Sequence, residues 1–250
     1  MNNVVVIMAG GLGKRMKSDL PKVLHKVMDK PMLVHVIERA LEIKPIKIYI
    51  VVGKYMPIIK DTLYHYDMLD YVEFINQPEA LGTGHAIQCC RPYLYQHEYS
   101  NTLILSGDVP LIKTETIKNM VKNMEHARIM CTTLENPTGY GRIIEKEGKF
   151  EKIVEEKDCN DEERKCQKTN AGIYTFDTIT LCKYLPLLSN DNAQGEYYLT
   201  DIVEIIKTKE DVEIELYEMP VEKQIELTGV NTKEQLEELN EQLKKNEKLS

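Results

Sequence analysis

The sequence lacks the features of several common protein classes. Its six cysteines form no C-x-x-C pair, so they indicate neither a zinc site nor a disulfide framework, and we expect free thiols in a reducing cytosol. No apolar run reaches the length needed to cross a membrane. Residues 4–8 form an apolar start that is too short for a signal peptide and has no cleavage site. We therefore expect a soluble, cytoplasmic protein that does not bind a membrane.

Positive charge is outnumbered by negative charge. The chain has 32 Lys and Arg residues against 40 Asp and Glu residues, a net charge of −8, which argues against a protein that binds nucleic acids or acidic membrane surfaces. The balance is reversed in residues 1–30, where six basic residues outnumber two acidic ones. An acidic protein with such a segment can still bind a small anionic molecule there.

Neither internal repeats nor low-complexity tracts interrupt the chain. Its 250 residues, 42% of them hydrophobic, suffice for one large domain or two small ones. Runs rich in Val and Ile predict buried strands at residues 4–8, 47–52, 71–75 and 102–105, with helical periodicity between them around residues 33–41 and 85–95. This alternation predicts an α/β fold, in which a mostly parallel sheet carries helices on both faces and ligands bind at the loops after the strands.

The pattern changes in the second half of the chain. It predicts a hairpin with a tight Glu-Gly turn at residues 140–150, one more strand at 170–176, and helices at 178–188 and 200–207. We interpret this half as a substrate region built onto the sheet. Residues 232–248 predict an amphipathic helix that begins after Thr232 as its N-cap. Its stripe of Leu236, Leu239 and Leu243 predicts docking onto the chain's own domain or, alternatively, a dimer contact.

A glycine-rich loop follows the first predicted strand, with the sequence Ala9-Gly10-Gly11-Leu12-Gly13-Lys14-Arg15-Met16. Glycines let backbone N–H groups approach an anion, and Lys and Arg add charge for phosphate oxygens. The alternative is a strand-to-helix turn that merely requires glycine. Two familiar loops are excluded: a Walker A loop would need Gly in place of Met8 and Ser or Thr in place of Arg15, and the dinucleotide fingerprint would need Gly in place of Met16.

This loop and the following Leu20-Pro21-Lys22-Val23-Leu24-His25 resemble the signature of sugar-phosphate nucleotidyltransferases. The chain is more narrowly similar to the N-terminal uridyltransferase part of the bifunctional GlmU family. Four further stretches carry that resemblance in the same order: Gln77-Pro78-Glu79-Ala80-Leu81-Gly82-Thr83-Gly84-His85-Ala86, Gly107-Asp108-Val109-Pro110-Leu111, Pro137-Thr138-Gly139-Tyr140-Gly141-Arg142-Ile143 and Asn192-Ala193-Gln194-Gly195-Glu196-Tyr197-Tyr198-Leu199-Thr200-Asp201. Together they span nearly the whole chain.

The resemblance implies a Rossmann-like nucleotide-diphospho-sugar transferase fold with a mostly parallel mixed sheet. It implies a nucleotidyltransferase domain at residues 1–228, in which about 1–110 bind the nucleotide and 111–228 the sugar, and a C-terminal helix at 229–250. The implied reaction is uridylyl transfer from UTP to N-acetylglucosamine 1-phosphate, which releases pyrophosphate and yields UDP-N-acetylglucosamine. Such a displacement at phosphorus requires positioned cations, backbone donors and a divalent metal.

The resemblance also assigns residues to roles. It implies that Arg15 and Lys22 are catalytic and act on the phosphates. Mg²⁺ would be held by Asp108 and by Asn231, which follows Gly229-Val230. The implied nucleotide-binding residues are Met8, Ala9, Gly10, Gly11, Gln77, Gly82, Thr83 and Asp108, and the implied sugar-binding residues are Gly141, Glu155, Asn170 and Thr200. Ser106 departs from the family pattern, in which Tyr is common.

Two alternatives stay open at this point. The same fold could act on another sugar 1-phosphate or another nucleotide, since fold alone does not fix specificity. A non-catalytic sensor of sugar nucleotides is the second alternative, although such a protein is expected to have lost the phosphate cations or the metal carboxylate.

Because the sequence shows no β-helix of the acetyltransferase type, we expect a monofunctional enzyme. Its oligomeric state is left open.

Overall fold

A computed structural model describes residues 2–11 and 13–247. The strands are β1 (Asn2–Met8), β2 (Lys26–Val27), β3 (Lys30–Pro31), β4 (Lys47–Val52), β5 (Glu73–Asn76), β6 (Ser100–Ser106), β7 (Ala127–Thr133), β8 (Arg142–Lys146), β9 (Lys149–Val154), β10 (Lys168–Asp177) and β11 (Glu215–Glu218). The helices are α1 (Met32–Leu41), α2 (Met56–His65), α3 (Thr83–Leu94), α4 (Thr114–Val121), α5 (Thr178–Tyr184), α6 (Asp201–Glu210) and α7 (Lys233–Glu247).

One mixed sheet organises the fold. Its strand order is β11-β7-β10-β6-β1-β4-β5, and the β8–β9 hairpin extends from β10. The pairs β6–β1, β1–β4 and β4–β5 are parallel, whereas β10 is antiparallel to both β6 and β7. These three parallel pairs come from the first half of the chain, as the strand-helix alternation predicts, and β7 and β11 of the second half form a further parallel pair.

Residues along β1 alternate between two hydrophobic cores on opposite faces of the sheet. Val4 and Val6 point to the core beneath α3, α5 and α6, whereas Val5 and Ile7 point to the core beneath α1, α2 and α4. Successive strand residues face opposite sides, so a strand covered on both faces must be apolar throughout. This explains why β1 and β4 were readable as continuous apolar runs.

The predicted elements agree with the structure except at particular boundaries. The strand predicted at residues 71–75 is Glu73–Asn76 instead, because Tyr71 ends a short 3₁₀ turn (Leu69–Tyr71) and is exposed. Strands β7 and β11 and helices α2 and α4 were not predicted. The apolar run of β7 is interrupted by Arg128, which in the structure pairs with Glu215 of neighbouring β11.

The second half contains the predicted hairpin. Strands β8 and β9 are joined by Glu147 and Gly148, both with positive φ angles of 53° and 76°. Two successive residues with positive φ are the backbone requirement of a tight two-residue hairpin turn. Further on, β10 changes register against β7 between Asn170 and Tyr174, and Gly172 has a φ of +72°. This bulge re-aims the side chains beside it.

Helix α7 docks onto the chain's own domain through the predicted leucine stripe. Leu236, Leu239 and Leu243 pack with Val27 and Met32 beside the β2–β3 hairpin. Thr232 caps the helix, since its Oγ1 accepts from the backbone N–H of Gln235 at 3.2 Å. Lys248, the last residue of the predicted helix, lies outside the described residues. Among those that are described, no helix is long and apolar enough to cross a membrane.

Candidate active site

A cavity of about 510 Å³ opens at the carboxyl ends of the parallel strands. This cavity is lined by all the residues to which the resemblance assigns nucleotide binding: Met8, Ala9, Gly10, Gly11, Gln77, Gly82, Thr83 and Asp108. Lys22, Ser106 and Glu196 also line this cavity. We refer to it as the nucleotide end of the site.

Strand register explains how distant stretches meet at this cavity. Met8 is the register partner of both Val51 on β4 and Ser106 on β6. The backbone N–H of Gly107 donates to the carbonyl of Met8 at 3.0 Å, and a side chain at Gly107 would lie 3.1 Å from that oxygen. Because parallel strands end at one edge of the sheet, their loops share one crevice.

The carboxamide of Gln77 has a fixed orientation at the end of this crevice. Its Nε2 donates to the carbonyl oxygen of Gly82 at 3.1 Å. A carbonyl can only accept, so the amide nitrogen must face Gly82 and the amide oxygen must face the other way. That oxygen points to the glycine loop, where a Cβ at Gly10 would lie 3.1 Å from it. Gln77 therefore presents an acceptor beside Gly10.

His85 lies in the first turn of α3, beside Gln77, and no role was predicted for it from the sequence. Its Nδ1 lies 3.0 Å from the carbonyl oxygen of Glu79 and 3.3 Å from the Nε2 of Gln77. The Glu79 carbonyl can only accept, so this shorter contact requires a proton on Nδ1; in that tautomer the ring bonds to the turn at Glu79 and does not accept from the Gln77 amide.

The two predicted catalytic cations lie at the edge of the nucleotide end, where they meet the two predicted metal ligands. Lys22 forms an ion pair with Asp108, and its Nζ donates to the Oδ1 of Asn231 at 2.9 Å. Arg15 donates to the same Asn231 oxygen at 3.2 Å. Lys22 and Asp108 are only 17% and 13% exposed, so this is not a pair of freely solvated surface charges.

Local sequence explains why Lys22 is held there. Pro21 has its φ fixed near −53° and leads into a 3₁₀ turn, Lys22–Leu24, whose Val23 and Leu24 are buried in the core. Both neighbours therefore anchor the backbone of Lys22. Gly13 has a φ of +57°, and a Cβ there would lie 2.9 Å from the Cβ of Lys22, so only glycine lets the loop pack this closely.

Asp108 and Asn231 fit a hard divalent cation by the chemistry of their donor atoms. Their side-chain oxygens converge on the same ammonium group of Lys22, which shows that one small cation can contact both. Mg²⁺ prefers oxygen ligands and usually takes one or two of them from protein. Ser106 donates to the Oδ1 of Asp108 at 2.5 Å and orients the carboxylate. The departure at Ser106 thus supplies a side-chain contact to Asp108, which sequence reasoning had missed.

The four residues assigned to the sugar also lie together, and we call them the sugar end. Gly141 precedes β8 and Glu155 follows β9, so hairpin pairing brings them side by side. The N–H of Asn170 donates to the carbonyl of Gly141 at 2.9 Å. Thr200 is buried and donates to the Oε1 of Glu155 at 3.0 Å. A Cβ at Gly141 would lie 3.5 Å from Glu155 and 3.6 Å from Asn170.

Burial dominates the electrostatics of the sugar end. It raises the pKa of Glu155, an effect opposed by the hydrogen bond from Thr200 and reinforced by the charges of Asp158 and Glu196. Burial, followed by the charge of Glu155, raises the pKa of Asp201 to about 6. Burial and the charge of Glu155 also raise the pKa of Tyr174, whose hydroxyl accepts from the Nδ2 of Asn170 at 2.6 Å.

A backbone ladder connects the two ends. The N–H of Tyr197 donates to the carbonyl of Leu81 at 2.8 Å, and the Tyr197 carbonyl accepts from Gly84 at 2.7 Å. The Oγ1 of Thr83 accepts from the N–H of Leu199 at 3.1 Å. Gly82 has a φ of +107°, and a Cβ there would lie 2.5 Å from the Tyr197 oxygen. The ladder therefore requires glycine at this position and ties the Gln77 loop to the segment that ends at Thr200.

Comparison with known proteins gives a consistent family. A model of the MobA-like NTP transferase domain matches residues 5–165. A relative from Acanthamoeba polyphaga mimivirus, named "Probable UDP-N-acetylglucosamine pyrophosphorylase", is 42% identical over 238 residues, which cover 93% of each chain. The bifunctional protein GlmU of Clostridium perfringens is 42% identical over 240 residues, which cover 94% of this chain and 51% of that relative. The chain thus spans about half the length of the GlmU relative.

The fold is shared with solved nucleotide-sugar enzymes. The structure of a UDP-glucose pyrophosphorylase complexed with UDP-glucose matches with a TM-score of 0.74 at 17% identity and covers 98% of this chain and 100% of that chain. At this identity the likeness concerns the fold alone. The predicted α/β fold, Rossmann-like with a mixed, mostly parallel sheet between two layers of helices, is confirmed.

Proposed function

The chain belongs to the MobA-like NTP transferase family, and on that premise we propose that it transfers the uridylyl group of UTP to N-acetylglucosamine 1-phosphate. The products are UDP-N-acetylglucosamine and pyrophosphate. The observation that carries the proposal is the cluster of Arg15, Lys22, Asp108 and Asn231 at the edge of the glycine-lined cavity. A sensor without turnover would not need these cations and metal ligands together.

The reaction is a displacement at the α-phosphorus of the nucleotide. A phosphate oxygen of the sugar phosphate forms the new bond to this phosphorus, while the bond to the bridging oxygen breaks and its electron pair leaves with pyrophosphate. The nucleophile is already an anion, so no side chain has to remove a proton from it. Catalysis then depends on holding two polyanions in line and neutralising the charge of the leaving group.

The residues of the nucleotide end divide this work. Backbone N–H groups around Gly10 and Gly11 approach the phosphates, since no side chains stand in the way. Lys22 and Arg15 supply positive charge, and Arg15 can contact two phosphate oxygens at once. In this proposal Lys22 exchanges its contacts with Asp108 and Asn231 for the phosphates.

Mg²⁺ is part of the proposal, with Asp108 and Asn231 as its protein ligands. When bound, the ion supplies a concentrated positive charge beside the phosphates. Ser106 would keep the Asp108 carboxylate in position.

The sugar end supplies groups suited to hydroxyl and acetamide recognition. Glu155 can accept from sugar hydroxyls, and the amide of Asn170 can donate and accept. Both side chains are half-buried, which makes recognition selective, because a substrate lacking the matching group would leave a partly desolvated polar atom unpaired. The six cysteines are free thiols, which agrees with a cytoplasmic location, the compartment that we assign to this reaction.

The test is pyrophosphate release in the presence of Mg²⁺. Each of UTP, CTP, GTP, ATP and dTTP is paired with N-acetylglucosamine 1-phosphate and with glucose 1-phosphate. The proposal expects rapid release with UTP and the N-acetylated sugar alone. Release with a different pair would retain the chemistry and refute the specificity. A folded protein that binds UDP-N-acetylglucosamine and releases no pyrophosphate with any pair would be a sensor instead.

A further inference from the structure

The start of α7 is built around Asn231, one of the two proposed metal ligands. The Oε1 of Gln235 accepts from the backbone N–H of Asn231 at 2.8 Å and from that of Thr232 at 3.2 Å. In return, the N–H of Gln235 donates to the Thr232 hydroxyl. This reciprocal arrangement is a capping box, and it fixes the backbone where the chain enters the helix.

The other side of Asn231 is also fixed. The N–H of Val230 donates to the carbonyl of Asp108 at 3.1 Å, and Val230 is fully buried. Asn231 therefore lies between one backbone contact to the Asp108 loop and another to Gln235. Its side-chain oxygen can reach the Lys22 ammonium only if this short segment keeps its course.

The body of α7 is pinned to the chain segment that follows Lys22. The Oδ1 of Asn240 accepts from the N–H of Met28 at 2.6 Å, and its Nδ2 donates to the carbonyl of Lys26 at 3.3 Å. Strand β2 begins shortly after the 3₁₀ turn that carries Lys22. Helix α7 thus holds the segment of Lys22 with its body and that of Asn231 with its cap.

From this geometry we infer that Gln235 is a positioning residue for the metal–nucleotide complex. It touches neither substrate nor metal, and it acts by holding the backbone of Asn231 so that Oδ1 faces Asp108. The inference rests on the proposed function for the identity of the bound complex. Its consequence is that the affinity for the divalent cation depends on a hydrogen bond made by the first turn of the C-terminal helix.

The experiment compares Gln235→Ala with Gln235→Glu in the full chain. Glutamate keeps an acceptor oxygen in the capping box, so it should rescue the cap. Glu241→Ala, at an exposed position of the same helix, is the matched control. Electron paramagnetic resonance gives the affinity for Mn²⁺ in the presence of UTP, and hydrogen exchange by NMR reports the protection of the Asn231 amide.

We expect Gln235→Ala to weaken Mn²⁺ binding about fivefold, the factor associated with loss of one helix cap. The Asn231 amide should exchange faster, while UTP binding without metal stays within about twofold of the parent. Gln235→Glu and Glu241→Ala should resemble the parent. An unchanged Mn²⁺ affinity in Gln235→Ala, or an equal loss in Gln235→Glu, would overturn the inference.

The same measurement separates this inference from the proposed reaction. A parent protein that binds Mn²⁺ with UTP but releases no pyrophosphate refutes the reaction, and the variants still decide the role of Gln235. A parent protein that binds no Mn²⁺ with UTP refutes the assignment of Asp108 and Asn231 as ligands, and the role of Gln235 with it.

Discussion

The nucleotide end and the sugar end are built in contrasting ways. Most of the nucleotide end is a few contiguous stretches at the ends of parallel strands, and it relies on glycine backbone and on the cations Arg15 and Lys22. The sugar end takes single residues from separate elements: antiparallel pairing places Gly141, Glu155 and Asn170, whereas Thr200 precedes α6 and donates to the half-buried carboxylate of Glu155.

The contrast matches what each end would bind in the proposed reaction. Phosphates carry charge that any well-placed cation or N–H group can neutralise, so contiguous backbone and flexible cations suffice. Hydroxyl and acetamide groups are neutral, and their recognition requires directed acceptors and donors that water does not reach. The variants below test whether charge dominates at one end and directed hydrogen bonding at the other.

Lys22→Ala should have the largest effect. Removing one charge-stabilising group from a reacting phosphate lowers turnover by roughly 10²–10³, measured as pyrophosphate release under saturating substrates. Lys26→Ala is the control, because Lys26 lies on the next strand and is exposed. Circular dichroism should show both variants folded. A loss of less than about threefold in Lys22→Ala would contradict a phosphate role for Lys22.

Glu155→Gln should have the second largest effect, and it should change only the kinetic parameters for the sugar phosphate. Glutamine keeps the shape and an acceptor for Thr200 but loses the charge, so kcat/KM for the sugar phosphate should fall roughly 10- to 100-fold. The KM for UTP should change little. Glu151→Gln on the same hairpin is the control. An equal rise in both KM values would show that the two ends do not act separately.

The pH dependence of sugar affinity tests whether the charged carboxylate of Glu155 is the group that binds the sugar. Because burial raises its pKa above the ordinary 4.5, the carboxylate takes up a proton at a higher pH than an exposed glutamate does. Sugar affinity should therefore fall as the pH is lowered through that raised pKa. In Glu155→Gln this fall should be missing, and its persistence would assign the pH dependence to another group.

Gln77→Ala should have a smaller effect, on base selection. The Gln77 oxygen is an acceptor beside Gly10, which suits the N3–H of uracil and opposes the unprotonated N3 of cytosine. Its loss should reduce the preference for UTP over CTP about tenfold, measured as the ratio of kcat/KM values. Asn76→Ala, at an exposed neighbouring amide, should leave the ratio unchanged. An unchanged ratio in Gln77→Ala would show that another residue selects the base.

Asp201→Asn should produce the smallest change, and this change should concern the free energy of unfolding and not activity. Burial and the charge of Glu155 raise the pKa of Asp201 to about 6, so the folded chain holds this proton more tightly than the unfolded chain does. The free energy of unfolding therefore decreases as pH rises from about 4 to about 6, and the ionised carboxylate stays costly above that.

Asparagine carries no charge and removes this cost. The free energy of unfolding of the variant should therefore exceed that of the parent by on the order of 1 kcal/mol at pH 7.5, after screening by solvent is considered. Urea unfolding at pH 7.5 and pH 4.5 measures the difference, and the gain should shrink at the lower pH. Asp191→Asn, an exposed aspartate in a loop, should show neither effect. A gain that is equal at both pH values would mean that the Asp201 charge is not its cause.

Sequence patterns predicted β1 and β4, which are buried on both faces, but not β7, which is also buried on both faces and carries Arg128. Strands β1 and β4 are continuous apolar runs, because both faces are covered. Sequence patterns failed for β11, whose four residues are all partly or fully exposed and include two glutamates. Sequence patterns also failed for the short helix α4: the backbone N–H of Lys113, just before the helix, and the hydroxyl of Thr116 in its first turn donate to the buried carboxylate of Glu226, 110 residues away from Thr116. That stabilising contact cannot be seen locally.

The candidate site divides in the same way. The glycine loop and the Gln77 stretch were found as motifs, since each is contiguous. Thr232 was predicted as the N-cap of α7, but the capping box that it forms with Gln235, and the relation of that box to Asn231, became visible only in the fold. Ser106 was noticed only as a departure from the family pattern, and its bond to Asp108 needed the strand end to be placed.

The sequence by itself determined the class of fold and the kind of ligand. Residue order fixes apolar periodicity, and a glycine-rich loop followed by cations suits phosphate wherever the chain folds it. Only the tertiary structure decided which groups meet: Lys22 with Asn231 across 209 positions, and Thr200 with Glu155 across 45. The physical reason is that side-chain bonds act over about 3 Å, and strand register and helix docking set that distance.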